Sequence, residues 1–378
     1  MKVSCLQENL AKGLSIVSRA VASRSTTLPV LSNVLLSTDN GRLKLSATNL
    51  EIGINTWIGA KVEQDGAITV PARTFTDLVN TLPPDRIDME LSIRTQTLHL
   101  RCGRSEANIK GIDAQEFPLI PTPEDAGQIL IDPEQLGKMI SQVAFAAASD
   151  ESRLMLTGVL TKFDQDRLTM AAADGFRLSV RNTMLDTPVA EPVQILIPAK
   201  ALTELARISG DQKDPIEVTF ASTGNQILFR LTNTDLVAQL MDLQFPDYEQ
   251  IIPKRHNTRT VANAGELLKA GRAANIFARD ANYTARVHIV PGAELEPGHI
   301  SIAARSDEAG DNVGEIDATV EGEEIEIAFN VRYLLDVLSV VDTPQVVLET
   351  TTSGSPGVIK PIGEDDFIHV IMPMHIGR

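Results

Sequence analysis

The apolar positions of this chain fall into one pattern written three times. In residues 69–83 (TVPARTFTDLVNTLP) a strand-like lead runs into Phe75, Leu78, Val79 and Leu82. The design returns at residue 197 (IPAKALTELARIS) with Leu202, Leu205 and Ala206. It returns again at residue 329 (FNVRYLLDVLSVV) with Leu334, Val337, Leu338 and Val341. Spacing of i, i+3, i+4, i+7 describes one buried helix face. A base precedes each set at the same offset: Arg73, Lys200 and Arg332. The copies lie about 127 and 132 residues apart. That exceeds the ~20–50 residues of a solenoid unit, so the repeated object is a whole domain.

The rest of the chain follows the same plan. A strand over residues 2–6 leads to a helix striped by Leu10, Leu14, Val17 and Val21. Alternating residues 30–37, 42–47 and 52–60 predict strands, with Asp39-Asn40-Gly41 as a hairpin turn. Short strands return over 87–112. An acidic Pro-rich stretch, 118–128, marks a boundary. Pro133 in a first helical turn, then Leu136, Ile140 and Val143, restart the pattern; Asn263 and Glu266 form a candidate capping box for its third start. The dipeptides Phe117-Pro118, Phe245-Pro246 and Met372-Pro373 are spaced as equivalent domain ends. Each third therefore reads helix, strands, helix, strands. The expected class is α+β: three repeated domains, 1–125, 126–254 and 255–378, each with two helices packed on antiparallel sheet.

Composition narrows the class. Two cysteines, Cys5 and Cys102, in apolar settings predict buried free thiols. The first residues lack a signal-peptide core, and no stretch reaches the ~18 apolar residues of a membrane span. The expected location is cytoplasmic. Six histidines show no metal-ligand spacing, and no nucleophile elbow, P-loop or dinucleotide fingerprint is present. No catalytic residue, metal or cofactor is expected. Asp174 and Arg177 predict an ion pair or turn contact.

The net charge of −16 argues, on average, against nucleic acid. Its distribution argues the other way. The six predicted helices carry ten bases against six acids, which leaves −20 elsewhere. Lys12/Arg19, Lys200/Arg207 and Arg272/Arg279 repeat at i, i+7 on one face each. First-turn bases oppose the helix dipole by a few tenths of a kcal/mol. A basic helical lining inside an acidic shell would hold phosphates without reading sequence. Single bases on helices are also ordinary solvated surface; the collective pattern carries the reading.

Val70-Pro71-Ala72-Arg73, Ala173-Asp174-Gly175-Phe176-Arg177-Leu178, Phe245-Pro246-Asp247-Tyr248, Phe329-Asn330-Val331 and Met372-Pro373-Met374, in this order and spacing, resemble the bacterial DNA polymerase III β subunit, the sliding-clamp family. The resemblance covers the whole chain. It implies a non-catalytic processivity factor: a head-to-tail homodimer closing six domains into a ring around double-stranded DNA. Its other partners would be a clamp loader and DNA polymerases that carry short linear peptide motifs. By position, the DNA-facing bases would be Lys12, Arg19, Arg24, Arg73, Lys138, Arg153, Lys200, Arg207, Lys269 and Arg272. The dimer contact would set Ala107 and Ile109 against Ile276 and Phe277. The peptide pocket would draw Leu156, Ala173, Gly175, Phe176, Arg177 and Leu178 from the second domain, with Pro246 and Ile251 from the linker. Tyr283, Asn330, Tyr333, Val370, Ile371, Met372, Pro373 and Met374 would complete it from the third. The chain departs from the family in Ala173 for a usual Thr, His375 for a common Arg, and Leu154 and Met155 for aromatic residues. The competing reading is a peptide-binding scaffold without DNA, against which the charge segregation argues.

Overall fold

The computed structural model describes residues 1–22, 28–120, 129–221, 224–293 and 296–375. Among the described residues six α-helices alternate with antiparallel strands: α1 (Gln7–Val17), α2 (Ala72–Thr81), α3 (Pro133–Val143), α4 (Ala199–Ile208), α5 (Ala264–Ala278) and α6 (Val331–Leu338). The repeated sequence pattern is α2, α4 and α6. Phe75, Val79, Leu202, Leu205, Leu334, Val337 and Leu338 are buried, while Leu78, Ala206 and Val341 lie half-exposed at the edges of their stripes. α5, the least regular stripe, starts at an Asn263 cap whose Oδ1 accepts from the Glu266 N–H at 3.0 Å. Its Gly271 lets α6 approach: a Cβ there would stand 3.1 Å from a Leu335 methyl carbon. Asn40 and Gly41 turn the first hairpin with φ of 49° and 75°, the left-handed pair that a two-residue hairpin requires.

Three sheets result. The first runs Lys61–Gln64, Lys2–Leu6, Arg86–Ser92, Thr97–Cys102 and Ser105–Lys110. The second runs Ile129–Ile131, Ile216–Phe220, Gln226–Arg230, Thr234–Gln239, Ile52–Ile58, Arg42–Thr48, Asn33–Asp39 and Ala67–Pro71. The third, of 12 strands, begins Val193–Pro198, Gly158–Asp164, Arg167–Ala173, Arg177–Met184. It continues Phe367–Ile371, Gly357–Pro361, Gln345–Thr350, Thr258–Asn263, Gly310–Gly322, His299–Ser306, Thr284–Val290, Ile325–Asn330. The chain divides into two compact units, Met1–Glu134 with Glu204–Leu240, and Gln135–Thr203 with Met241–Arg378.

Two of the sheets run from one repeat into the next. Thr234–Gln239 pairs with Ile52–Ile58, and Phe367–Ile371 pairs with Arg177–Met184. The last strand of one repeat thus satisfies the open edge of the repeat before it, where unpaired N–H and C=O groups would otherwise remain. Residues 29–32 form a 3₁₀ turn ahead of Asn33–Asp39, so that strand starts later than its apolar pattern.

The three repeats close alike. Ile112 N–H donates to Thr69 C=O at 3.0 Å, Met241 to Leu196 at 2.9 Å and Met374 to Ala328 at 2.8 Å. This register corrects the dipeptide spacing: Met374 is the counterpart of Met241, so Met372-Pro373 is not the counterpart of Phe245-Pro246. The free thiols Cys5 and Cys102 are buried, and burial pushes the Cys5 thiol up to about 12.

Candidate functional site

The Asp174-Gly175-Phe176 turn joins Arg167–Ala173 to Arg177–Met184. Asp174 Oδ1 accepts from the Phe176 and Arg177 backbone N–H groups at 2.9 and 3.0 Å. Gly175 sits at φ 90°, a conformation that side chains rarely adopt. The turn lifts Phe176 out of the sheet, 54 % exposed, with the Arg153 guanidinium 5.8 Å from its ring centroid. Arg153 also donates to the Asp174 carbonyl.

Arg177 is the hub. Its side chain is only 10 % exposed. Nε donates to Asp174 Oδ2 at 3.0 Å, Nη1 to Asp336 Oδ2, and Nη2 to the Phe145 carbonyl at 2.8 Å. The guanidinium also lies 4.5 Å from the Tyr333 ring centroid and 5.3 Å from that of Phe145. Burial and the Asp174 carboxylate push the Tyr333 phenol above its ordinary range. The expected Asp174–Arg177 ion pair is therefore present. Phe145 and Asp336 carried no sequence signal, because they are 32 and 159 residues from Arg177 in the chain.

The C-terminal strand completes the wall. Met372 N–H donates to Phe176 C=O at 2.8 Å, and Thr284 Oγ1 donates to Met374 Sδ at 3.5 Å. Asn330 caps α6 by accepting from the Arg332 N–H at 3.0 Å. Arg332 stacks 3.9 Å from the Tyr283 ring centroid, which gives that first-turn base a contact within this wall. Phe176, Pro246, Ile251 and Met372 are exposed; Leu156, Tyr283, Asn330, Tyr333, Pro373 and Met374 are half-buried. Leu178, Val370 and Ile371 belong to the core at 1 % exposure or less, so they support the wall from behind and offer a ligand no surface. Ala173 is also buried.

Side-chain-capped turns occur at the corresponding place in the other repeats, with different chemistry and, in the third, one residue fewer between the paired strands. Asn49 Oδ1 accepts from Glu51 and Ile52 N–H groups at 3.0 and 2.8 Å, and Leu50 adopts φ 76°. Ser306 Oγ accepts from Glu308 and Ala309 N–H groups at 3.2 and 3.1 Å. Glu51 and Glu308 stand where the second repeat has Phe176.

The helical bases divide. Lys12, Arg73, Lys200, Arg207, Lys269 and Arg272 are exposed. Arg73 is 96 % exposed beside Asp77, at 3.9 Å. Arg19 and Arg207 converge on Glu204, at 3.0 and 2.6 Å. Lys138 is drawn into a network, 2.9 Å from Glu364 and 3.3 Å from Asp342, with Arg181 on the other Glu364 oxygen. Burial works against the Glu364 charge, but the hydrogen bonds from Lys138 and Arg181 outweigh it and hold its pKa down. Arg153 is held by the Phe176 turn. Arg24 lies outside the described residues. Ala107 and Ile109 lie on the edge strand Ser105–Lys110; on α5, Ile276 is exposed and Phe277 half-buried.

Among the described residues no helix is long and apolar enough to cross a membrane, and no cluster of side chains could hold a metal. Three family models match the chain in order. They are the N-terminal domain of the DNA polymerase III beta subunit over residues 1–121, its central domain over 130–247 and its C-terminal domain over 249–375. The chain is 33% identical to a beta sliding clamp of Synechococcus elongatus over 380 residues, covering 100% of both, and 31% identical to that of Bacillus subtilis over 384 residues, covering 99% of each. The crystal structure of the Bacillus subtilis sliding clamp superposes with a TM-score of 0.93 at 29% identity, over 100% of both chains. A Pseudomonas aeruginosa sliding clamp bound to griselimycin superposes with 0.90 at 30% identity, again over 100% of both. With three repeats in this order and full-length similarity, the chain belongs to the DNA polymerase III beta subunit family, the beta sliding clamps.

Proposed function

We propose that two copies of this chain close head to tail around duplex DNA, and that the ring tethers polymerases and other replication proteins. This is a non-catalytic role, carried out in the cytoplasm beside the chromosome. The domains are divided as 1–125, 126–254 and 255–378. The observation that carries the ring is the strand junction made twice within the chain. The corresponding strand of the first repeat, Ser105–Lys110, pairs only with Thr97–Cys102 among the described residues. The corresponding strand of the third, Gly310–Gly322, pairs over residues 310–317 only with His299–Ser306. A second copy repeats the junction between them, bringing Ala107 and Ile109 toward Ile276 and Phe277. Such heterologous contacts end in a ring when the rotation closes.

Exposed bases on the helices supply sequence-independent phosphate contacts. The groove under Phe176 takes an apolar peptide motif, with Met372 and Met374 as adaptable surfaces. Ala173 and His375 bear on which motifs fit.

Loaded on closed circular DNA, the protein is expected to stay bound through a gel-filtration column and to be lost once the circle is cut. Equal retention on the linear form would refute linkage as the mode of attachment. Reversing Lys200 and Arg207 to Glu is expected to cut loading onto circular DNA about tenfold and leave peptide binding unchanged. Equal loading in that variant favours the scaffold reading.

A further inference from the structure

The junction of Ile52–Ile58 with Thr234–Gln239 repeats, bond for bond, that of Arg177–Met184 with Phe367–Ile371. Gln239 N–H donates to Glu51 C=O at 2.8 Å as Met372 does to Phe176, also at 2.8 Å. Trp57 N–H donates to Asn233 C=O at 3.0 Å as Asn182 does to Asp366 at 2.9 Å. This register puts Gly53, Asn55 and Asp235 where the other junction has Leu178, Val180 and Ile368. Thr56 and Ile58 face α1, since a Cβ on Gly13 would meet both, so Asn55 and Trp57 lie on the opposite face of the sheet.

At the Arg177–Met184 junction Leu178 and Val180 sit in an apolar cluster with Phe245 and Tyr248. At the other a cavity of about 420 Å³ remains, lined by Arg42, Lys44, Asn55, Trp57, Arg230 and Asp235 among others. That volume falls within the ~300–1,000 Å³ of ligand sites. Asn55 and Asp235 are 3 % and 5 % exposed. Asn55 Oδ1 accepts from Ser46 Oγ at 2.6 Å, so this junction buries a polar pair where the other repeat packs Val180 and the half-buried Ile368. The nearest cation to Asp235 is Arg230, with Nε at 3.6 Å, and burial pushes the carboxyl above its ordinary range. At the mouth, Trp57 Nε1 donates to Asp39 Oδ2 at 2.7 Å, and its ring carries Lys44 Nζ at 5.0 Å and Arg42 Cζ at 5.7 Å. Among the described residues neither base has a carboxylate within ion-pair distance.

The geometry points to a second binding site in this cavity, for a short acidic peptide segment. A ligand carboxylate meets Arg42 and Lys44, an apolar side chain lies against the Trp57 indole, and backbone N–H groups face Asn55 and Asp235. Nucleic acid fits worse, because Asp39 and Asp235 repel a ligand that is anionic throughout. The site stands independently of the groove under Phe176.

Trp57 is the only tryptophan, so its emission reads this site alone. The intact protein is titrated with acetyl-Asp-Leu-Asp-Gly-amide. The expected result is a saturable change in emission, weakened about tenfold in Kd by Arg42→Glu with Lys44→Glu and unaltered by Phe176→Ala. The double variant is first checked for an unchanged melting temperature; its two sites are solvent-accessible. An Asn-for-Asp peptide that binds equally well overturns the proposal. So does the absence of saturation, or an oligothymidylate or inorganic phosphate that binds more tightly than the acidic peptide.

Discussion

Arg177→Ala is expected to lose about 3 kcal/mol of stability in urea unfolding and to abolish measurable binding of a short apolar peptide, the probe of the groove. The guanidinium is nearly enclosed and ties together Asp174, Asp336, the Phe145 carbonyl and two aromatic rings. Its removal leaves the Asp174 carboxylate with backbone N–H donors but no cation and takes a donor from the Phe145 carbonyl, and a buried charge without its counter-ion costs more than the bond it loses. Lysine should not rescue, because it offers a point charge where a planar fork spans three acceptors. The lost binding follows from geometry: Arg177 closes the turn that presents Phe176 and receives Met372. A variant that unfolds like the parent and binds the probe normally would remove Arg177 from the centre of the site.

The second large effect is one of pH. His369 is fully buried, its Nδ1 2.6 Å from Ser179 Oγ, its ring stacked near Phe145, and its Nε2 without a partner among the described residues. Burial, helped by the nearby Arg177 charge, lowers its pKa to about 3 from 6.5. The unfolded chain therefore takes up this proton first as pH falls. The stability contribution is fully present above 6.5 and is lost progressively from there toward 3. Between pH 7 and pH 5 the loss from this one group is about 2 kcal/mol by linkage. His369→Gln should flatten that slope in urea unfolding at the two pH values, whatever its own starting stability. An unchanged slope in the variant would assign the acid sensitivity to other groups.

How much of this was legible beforehand depends on distance along the chain. The threefold design could be read because each helix writes its buried face within a dozen residues, as Phe75, Val79 and Leu82 do. The Asp174–Arg177 pair could be read because its two members sit on one turn. The sharing of sheets between repeats could not. Alternation shows which side of a strand is apolar and says nothing of which edge it joins; Ile52–Ile58 meets Thr234–Gln239 across more than half of one compact unit's sequence. Leu178 and Ile371, which family position assigns to the pocket and apolar pattern assigns to the core, lie in the core, as does Val370. The dipeptide at Met372 misled because spacing alone ignores the longer third repeat, and the hydrogen bond from Met374 to Ala328 restores the register.

The turn position that carries Phe176 in the second repeat carries glutamate in the other two. In the proposed ring a pair of chains would therefore offer two apolar berths rather than six, and proteins that dock there would compete for them.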